Sequence, residues 1–474
     1  MGALERLEAL GNRLPDPLFL FAGMAGIIAL ASALLAGLTV ENPATHANVT
    51  VVSLMTFDGG RRMITEAVKN FTGFPPLGTV LVAMLGIGVA ERVGLVASAL
   101  RGMVASVPPA LLTTALVFAG IESSLAADAG FVVLVPLGAT LYASVGRHPL
   151  AGMTVAYASV SGGYGANLLI TALDPLLAGL STAAAHLVDP SVTVLATCNW
   201  YFNAVSVVLL TITATVIARW TEPAFGEWKV PPPVSEVVTE GRGLRAAGLA
   251  VAAYLLVVGI AAPFVLYNGS WTPLYASMVM LVSAGFFLPG VAYGMTIGRI
   301  RETRDVAELA AEAMAGMGSY IVLAFAAAQF VAWFGWSNLG LVLAVHGAQL
   351  LHGFGPLPLT LAMIVVSGVV NVIIASASAK WAIMAPVFVP MMMLLGVPPD
   401  LTQAAYRIGD AVTNIVTPLL PYVPIVLATA RRYRPDAGMG TVLAAQVPYA
   451  IVFGVLWTLM LLGWTAMGWP LGPG

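Results

Sequence analysis

GVVNVIIASASAKWAIMAPVFVPMMMLLGVPPDLTQAAYRIGDAVTNIVTP, residues 368–418, decides how the chain is read. It is apolar enough for a membrane, yet it carries Asn371, Ser376, Ser378, Lys380, Trp381, Arg407, Asp410 and Asn414. Small residues and Pro386, Pro390, Pro398, Pro399 and Pro418 interrupt its helical pattern. Ionisable groups inside a bilayer face a water-filled path, a substrate or one another. Broken backbone at that depth survives where protein or a cavity surrounds it. The stretch therefore reads as half of a transport site.

The rest of the chain agrees. Of 474 residues, 59% are hydrophobic and 9% charged. Soluble domains carry about 25% charged residues, so this is a polytopic membrane protein. The formal net charge of −2 gives no reason to expect nucleic acid as a partner. Cys198 is the only cysteine, which excludes an intrachain disulfide and a CxxC metal site. The five histidines show no HExxH or paired spacing, and no GxxxxGK[ST] phosphate loop occurs.

Leu18–Val40 is long enough to span and reads as an uncleaved first helix. Segment 41–75 is polar; RRMITEAVKNF within it is either an amphipathic surface helix or a solvated loop. A second span covers about Leu77–Val96. From Pro108 to Leu180 the chain is apolar but interrupted twice. The pattern predicts a re-entrant hairpin with its tip near Ser123–Asp128, then an unwound span near Ser161–Asn167. Trp200–Arg219 spans, and 221–245 is a hydrophilic linker. Arginines at 242–245, 299–304 and 431–434 belong inside by the positive-inside rule, and the uncharged 268–272 outside. That places the N-terminus in the cytoplasm. The expected fold is all-α: about nine transmembrane helices, two re-entrant helical hairpins and an inverted internal repeat. Its expected divisions are 1–107 (scaffold and dimerisation), 108–220 (first hairpin and unwound helix), 221–355 (linker and scaffold), 356–430 (second hairpin and unwound helix) and 431–474 (last span).

The repeat is visible directly. ESSLAADAGFVVLVP, a Gly-Arg-His-Pro turn and AYASVSGGYGANLLITALDPLL form the first copy. IASASAKWAIMAPVFVP, a Gly-Val-Pro-Pro turn and AYRIGDAVTNIVTPLL form the second. Matched interrupted segments in two halves point to a midplane binding site.

SASAKWAIMAPVFVPMMMLLG, AYRIGDAVTNIVTPLLPY, GRHPLAGM, SGGYGANLL and DPLLAG together resemble the AbgT family, the p-aminobenzoyl-glutamate transporters. The resemblance spans most of the chain. It implies nine helices and two hairpins in a bowl-shaped homodimer, with an aqueous basin, in the bacterial inner membrane. It implies either import of p-aminobenzoyl-glutamate or proton-driven export of sulfonamide antimetabolites, and this chain looks closer to the exporters.

Asp174, before a proline in an apolar run, could load and release a proton. The resemblance to the family's proposed proton-carrying Asp favours that role. As an alternative, Asp before Pro is a helix N-cap signature. Arg407 and Asp410, three apart on one helical face, are either a self-neutralising pair or a site. In a site, Arg407 would bind a substrate anion with its fork of donors, and Asp410 would hold Arg407 or exchange a proton. Asn414 extends that face. Asn371, Ser376, Ser378 and Trp381 surround the second hairpin tip, where half-helix ends offer backbone groups to ions. Trp381 could stack on an aromatic ring or be an interfacial anchor. Pro418 shapes the site. Asn167, Ser161 and Gly163 are the first-half counterparts; Gly162, Gly163 and Gly165 permit either bare-carbonyl ligation or close helix packing. Sodium near Asn167, Asn371 and Asn414 is the alternative to a coupling proton. No cofactor is expected, and the partners are the bilayer, an aromatic solute and a second copy. Glu122 and Asp128 are either gating or relay acids or tip residues, and Lys380 is unassigned.

A secondary transporter is the leading function. An intramembrane aspartyl hydrolase using Asp174 and Asp410 is remote, because RIGD departs from the GxGD pattern. A passive channel is the third reading.

Overall fold

The computed structural model describes residues 17–41, 48–105, 107–126, 130–228, 241–372, 374, 376–418, 420 and 422–473. Helix α1 (Pro17–Leu34) leads into a short antiparallel ribbon, Thr39–Glu41 paired with Asn48–Thr50. Helix α2 (Phe57–Thr65), capped by the Thr56 hydroxyl, buries none of its side chains. That fits the surface-lying reading of RRMITEAVKNF. Helices α3 (Pro75–Arg92) and α4 (Leu95–Ala105) are one apolar run bent by 63°. Gly94, at φ +92°, supplies the left-handed backbone between them.

The first hairpin is α5 (Leu112–Glu122) and α6 (Val135–Ser144), the latter entered through a π-helical turn at Gly130–Leu134. Asp128 at the expected tip lies outside the described residues. Helix α7 (Pro149–Gly162) is buried along its whole length. It then unwinds through 163–172 before α8 (Leu173–Ala185), so the break begins slightly later than expected. Helices α9 (Trp200–Thr221), α10 (Gly241–Val265) and α11 (Met278–Thr296) are long and apolar. The polar α12 (Thr303–Ala315) precedes α13 (Gly318–Trp336) and α14 (Leu339–Leu350). Asn338, at φ 59°, breaks the last two apart.

The second hairpin is α15 (Pro356–Asn371) and α16 (Ala377–Leu394). Helix α17 (Pro399–Asn414) ends at Asn414, α18 (Val423–Tyr433) follows it, and α19 (Met439–Ala466) closes the chain. Among the described residues six helices are long and apolar enough to cross a membrane, seven if α3–α4 is one span. One of the six, α16, is a hairpin arm. The α7–α8 and α17–α18 units are interrupted, so neither shows as one long helix. With α1, the described residues supply nine crossing units (α1, α3–α4, α7–α8, α9, α10, α11, α13, α17–α18, α19) and two hairpins.

Contacts between distant turns sort these units by side. Arg147, in the turn between the first hairpin and α7, holds Glu222 just after α9 through two bonds of 2.8 and 2.5 Å. It also donates to Thr113 and lies over the Tyr142 ring. The start of α17, just after the second hairpin, is tied to the opposite end of α9, where Asn199 donates to the Asp400 carbonyl at 2.9 Å. The two hairpins thus enter from opposite faces, which is what inverts the repeat.

Close backbone approach holds these units together. A Cβ at Gly163 would sit 2.6 Å from Ile121 Cα, and one at Gly165 3.1 Å from Trp457. Gly162 and Gly163 have ordinary negative φ, so packing, not unusual backbone, explains this glycine cluster. Gly409 is the corresponding case on the second interrupted helix: a Cβ there would run into Ser367 Oγ and the Ile364 carbonyl of α15. We expect Gly409→Ala to lower stability by about 1–3 kcal/mol, as overpacking does. Gly440→Ala, which faces open space, is the control. Thermal unfolding of the two variants in detergent checks this, and equal midpoints would refute the tight α15–α17 contact.

Candidate functional site

Helix α17 carries four polar side chains along one buried stripe, Gln403, Arg407, Asp410 and Asn414, spaced four, three and four. Three to four residues bring side chains onto one face. They do not neutralise each other as the spacing alone allows. Arg407 Nη1 donates to Asp174 Oδ1 at 2.5 Å, across to the first half of the chain. Asp410 is instead paired with Lys380 of α16. Both pairs are buried, each side chain at most 4% exposed. The expected grip of Asp410 on Arg407 is therefore corrected. Neighbours on one helix point to different partners because each meets a different element.

Asp174 is the second residue of α8, behind Ala172 as N-cap, so it is not the cap that Asp-Pro signalled. Its Oδ2 accepts from Thr171 N–H at 2.6 Å and from the Thr171 hydroxyl at 2.8 Å. A carboxylate in a first helical turn also meets the positive end of the helix dipole. Three donors thus serve one carboxylate. Arg407 is less well served: its Nε and Nη2 are buried without hydrogen-bond partners among the described residues.

Lys380, unassigned by sequence, is the centre of a closed circuit. Its Nζ donates to both Asp410 Oδ1 and Asn371 Oδ1. Asn371 Nδ2 donates to Asn414 Oδ1 at 2.9 Å and to Thr413 Oγ1 at 2.8 Å. Asn414 Nδ2 returns to Asp410 Oδ2 at 3.2 Å. The circuit joins the end of α15, the start of α16 and the C-terminal end of α17. It clamps the second hairpin tip to the helix beside it.

Trp381 is fully buried and donates its indole N–H to Ser181 Oγ at 3.0 Å. Its ring lies against Tyr406, centroids 4.4 Å apart. It supports the tip from behind and offers no face to a solute in this structure. Ser181 in turn donates to Gln403, and Gln403 to Asn199. Pro418 is buried in the break after α17.

The cavity lies in front of this frame. It has a volume of about 530 Å³ and is walled by both halves. Ser161, Tyr164 and Leu173 come from the first, and Ser376, Ser378 and Asn414 from the second. Phe131, Tyr320 and Tyr422 add aromatic surface, with Phe131 and Tyr422 stacked at 4.3 Å. The Tyr320 hydroxyl is buried without a partner among the described residues. Among the expected residues, then, Ser376, Ser378 and Asn414 reach the cavity wall, joined by Ser161. Asp174, Asn167, Asn371, Trp381, Arg407, Asp410 and Pro418 stand outside the lining set. In the first half Asn167 Oδ1 accepts from Ser124.

Sequence reasoning missed Thr171, Tyr406, Gln403 and the cavity aromatics. Gln403 was findable, one turn ahead of Arg407 on the same stripe.

The AbgT transporter family model matches residues 2–474. This chain belongs to the AbgT family. The p-aminobenzoyl-glutamate transport protein of Escherichia coli K12 is 37% identical to it, over 99% of this chain and 95% of that one. The crystal structure of the Alcanivorax borkumensis YdaH transporter superposes with a TM-score of 0.93 at 42% identity, covering 97% of this chain and all of the other. Neisseria gonorrhoeae MtrF, described within a class of antimetabolite efflux pumps, gives a TM-score of 0.91 at 39% identity, with 99% of each chain covered. The AbgT chain is a membrane transporter rather than an enzyme. Its two candidate hydrolase acids are each bound to a basic side chain.

Removing one partner of a buried ion pair strands a charge and costs roughly 3–5 kcal/mol. Lys380→Met should destabilise the protein by that order, and Lys380→Met with Asp410→Leu should recover most of the loss. Thermal unfolding of the two purified proteins tests this. A single variant as stable as the parent would refute the buried circuit.

Proposed function

We propose that the protein is a proton-driven secondary transporter that exports aromatic anions of the sulfonamide and p-aminobenzoyl-glutamate class. It works as a homodimer in the bacterial inner membrane, with its N-terminus in the cytoplasm. The observation that carries the reading is the Arg407–Asp174 pair, because it ties the two halves together directly behind the cavity. A proton on Asp174 removes the charge that holds Arg407. The pair is thus an element with two arrangements, which alternating access requires.

The cavity supports the substrate class. Its aromatic walls suit a ring, and Ser376, Ser378 and the Tyr320 hydroxyl suit polar substituents. The solute fills this space while the ion pair behind it is intact, and protonation then parts the walls. Proton and solute occupy the site in alternation, which is exchange in opposite directions. Asn371, Asn414 and Asn167 have oxygens already engaged by Lys380, Asn371 and Ser124. That supports a proton over sodium as the coupling ion.

A second reading has one observation in its favour. The two unpartnered N–H groups of Arg407 match a substrate carboxylate. A substrate that takes Arg407 from Asp174 favours a proton on Asp174. Anion and proton would then travel together, as in an importer.

Sulfonamide flux in oriented proteoliposomes under an imposed pH gradient tests the proposal. Uphill flux opposite to proton flow is expected, and flux along with it would favour the importer. Asp174→Asn should abolish gradient-driven flux, and unchanged flux would remove Asp174 as the proton carrier.

A further inference from the structure

Among the described residues Glu122 is a buried carboxyl, 6% exposed, without a basic partner. Asp174 and Asp410 lie comparably deep, and each has one. Glu122 is the last residue of α5, and its Oε1 accepts from the backbone N–H of Leu168 at 3.2 Å. Leu168 is in the non-helical segment 166–172, next to Asn167, whose Nδ2 is buried without a partner among the described residues. The Ser124–Asn167 bond makes a second tie between the same two segments.

The repeat gives this place a counterpart. Asn371 is the last residue of α15, as Glu122 is of α5, and bonds Asn414 as Glu122 bonds the residue after Asn167. In the second half a cation on a tether, Lys380, fills the space between hairpin and interrupted helix. The first half has no such group, for a reason visible in the sequence: residues 102–146 and 148–218 contain no lysine or arginine. The elements packed against α5 bring Arg101 on α4, Tyr157 on α7, Tyr164 in the turn after it, and Tyr201 and Arg219 on α9. None of these arginines forms an ion pair with Glu122, and Asp128 of the same tip lies outside the described residues.

A buried carboxylate without a counter-charge is costly, and the group escapes the cost by taking a proton. Resting on the proton-driven reading above, we propose that Glu122 is a second proton-exchanging carboxyl, and that its proton is the mobile equivalent of the Lys380 charge in the other half. Ionised, Glu122 accepts from Leu168 N–H and latches the first hairpin to the unwound segment. Protonated, it leaves that backbone donor with a weaker acceptor, because a charged acceptor binds about twice as strongly as a neutral one. The first hairpin is thereby latched by a reversible charge and the second by a permanent one.

Infrared difference spectra of the full-length protein in lipid, taken on either side of neutral pH, read the group without requiring transport. We expect a carboxylic-acid C=O band that titrates, disappears in Glu122→Gln and remains in Asp174→Asn. Glu122→Asp should move the band and keep it, which covers the case of a Gln variant that does not fold. In vesicles, substrate-dependent proton movement followed with a pH dye should be lost in Glu122→Gln. A band of Asp174→Asn that survives when Glu122→Gln is added, no titrating band in Asp174→Asn, or proton movement undiminished in Glu122→Gln would overturn the proposal. Sodium abolishing the band would assign the place to a metal ion and overturn it equally. If the band behaves as expected while wild-type flux ignores the pH gradient, the proton-driven reading fails and the titrating site stands.

Discussion

The structure depends on how a membrane protein keeps charge out of lipid. Four ionised groups sit near its centre, and each would be prohibitive alone. They are tolerated because they are spent in two pairs that also join separate elements. Arg407–Asp174 links the second interrupted helix to the start of α8, and Lys380–Asp410 links the second hairpin to α17. The packing that brings the charges together is as much a consequence of the pairs as their cause. A buried pair is weak support for stability compared with an apolar replacement, yet strongly penalises separation. That combination suits a site that must hold one arrangement firmly and then leave it.

The cavity is built differently from its frame. Its wall is aliphatic and aromatic side chains, hydroxyls and one amide, and among the described residues its lining includes no charged side chain. The ion pairs lie behind, so a solute would sense them through the elements they clamp. Trp381 shows the same division: buried against Tyr406 and bonded to Ser181, it sets the position of the tip carrying Ser376 and Ser378. Glycine makes the frame thin enough for this. Gly163 lets the unwound first half lie on Ile121, and Gly409 lets α17 lie on α15. The two halves use the same scaffold of hairpin and broken helix but different charges. A lysine is built into one, and Glu122, without a basic partner among the described residues, stands in the other.

Much of this was legible in the chain. Hydropathy marked the membrane class, and prolines, glycines and polar residues in apolar runs marked both hairpins and both breaks. The repeated order of tip, Val-Pro arm, turn and Asn marked two equivalent walls. These features are local: they depend on what lipid refuses and on which residues interrupt a helix, and a sequence states both directly. It also states that residues 102–146, the segment that carries Glu122, contain no lysine or arginine.

Partnership was not legible. Arg407 and Asp410 are three apart and could have paired, but Asp174 is 233 residues from Arg407 and Lys380 30 from Asp410. Which cation meets which carboxylate depends on how the hairpin docks on the interrupted helix, and many dockings satisfy the same apolar pattern. Depth was equally hidden: Trp381 and Ser378 are three residues apart on one helix, and only the latter faces the cavity. The sequence by itself determined the class of protein, the repeated halves and the small set of groups able to carry charge in the membrane. The tertiary structure alone decided which of those groups face one another, which face the solute and which stand unpaired. The physical reason is that side-chain contacts in a bundle are set by the rotation and register of packed helices, which the residues of any one segment do not encode.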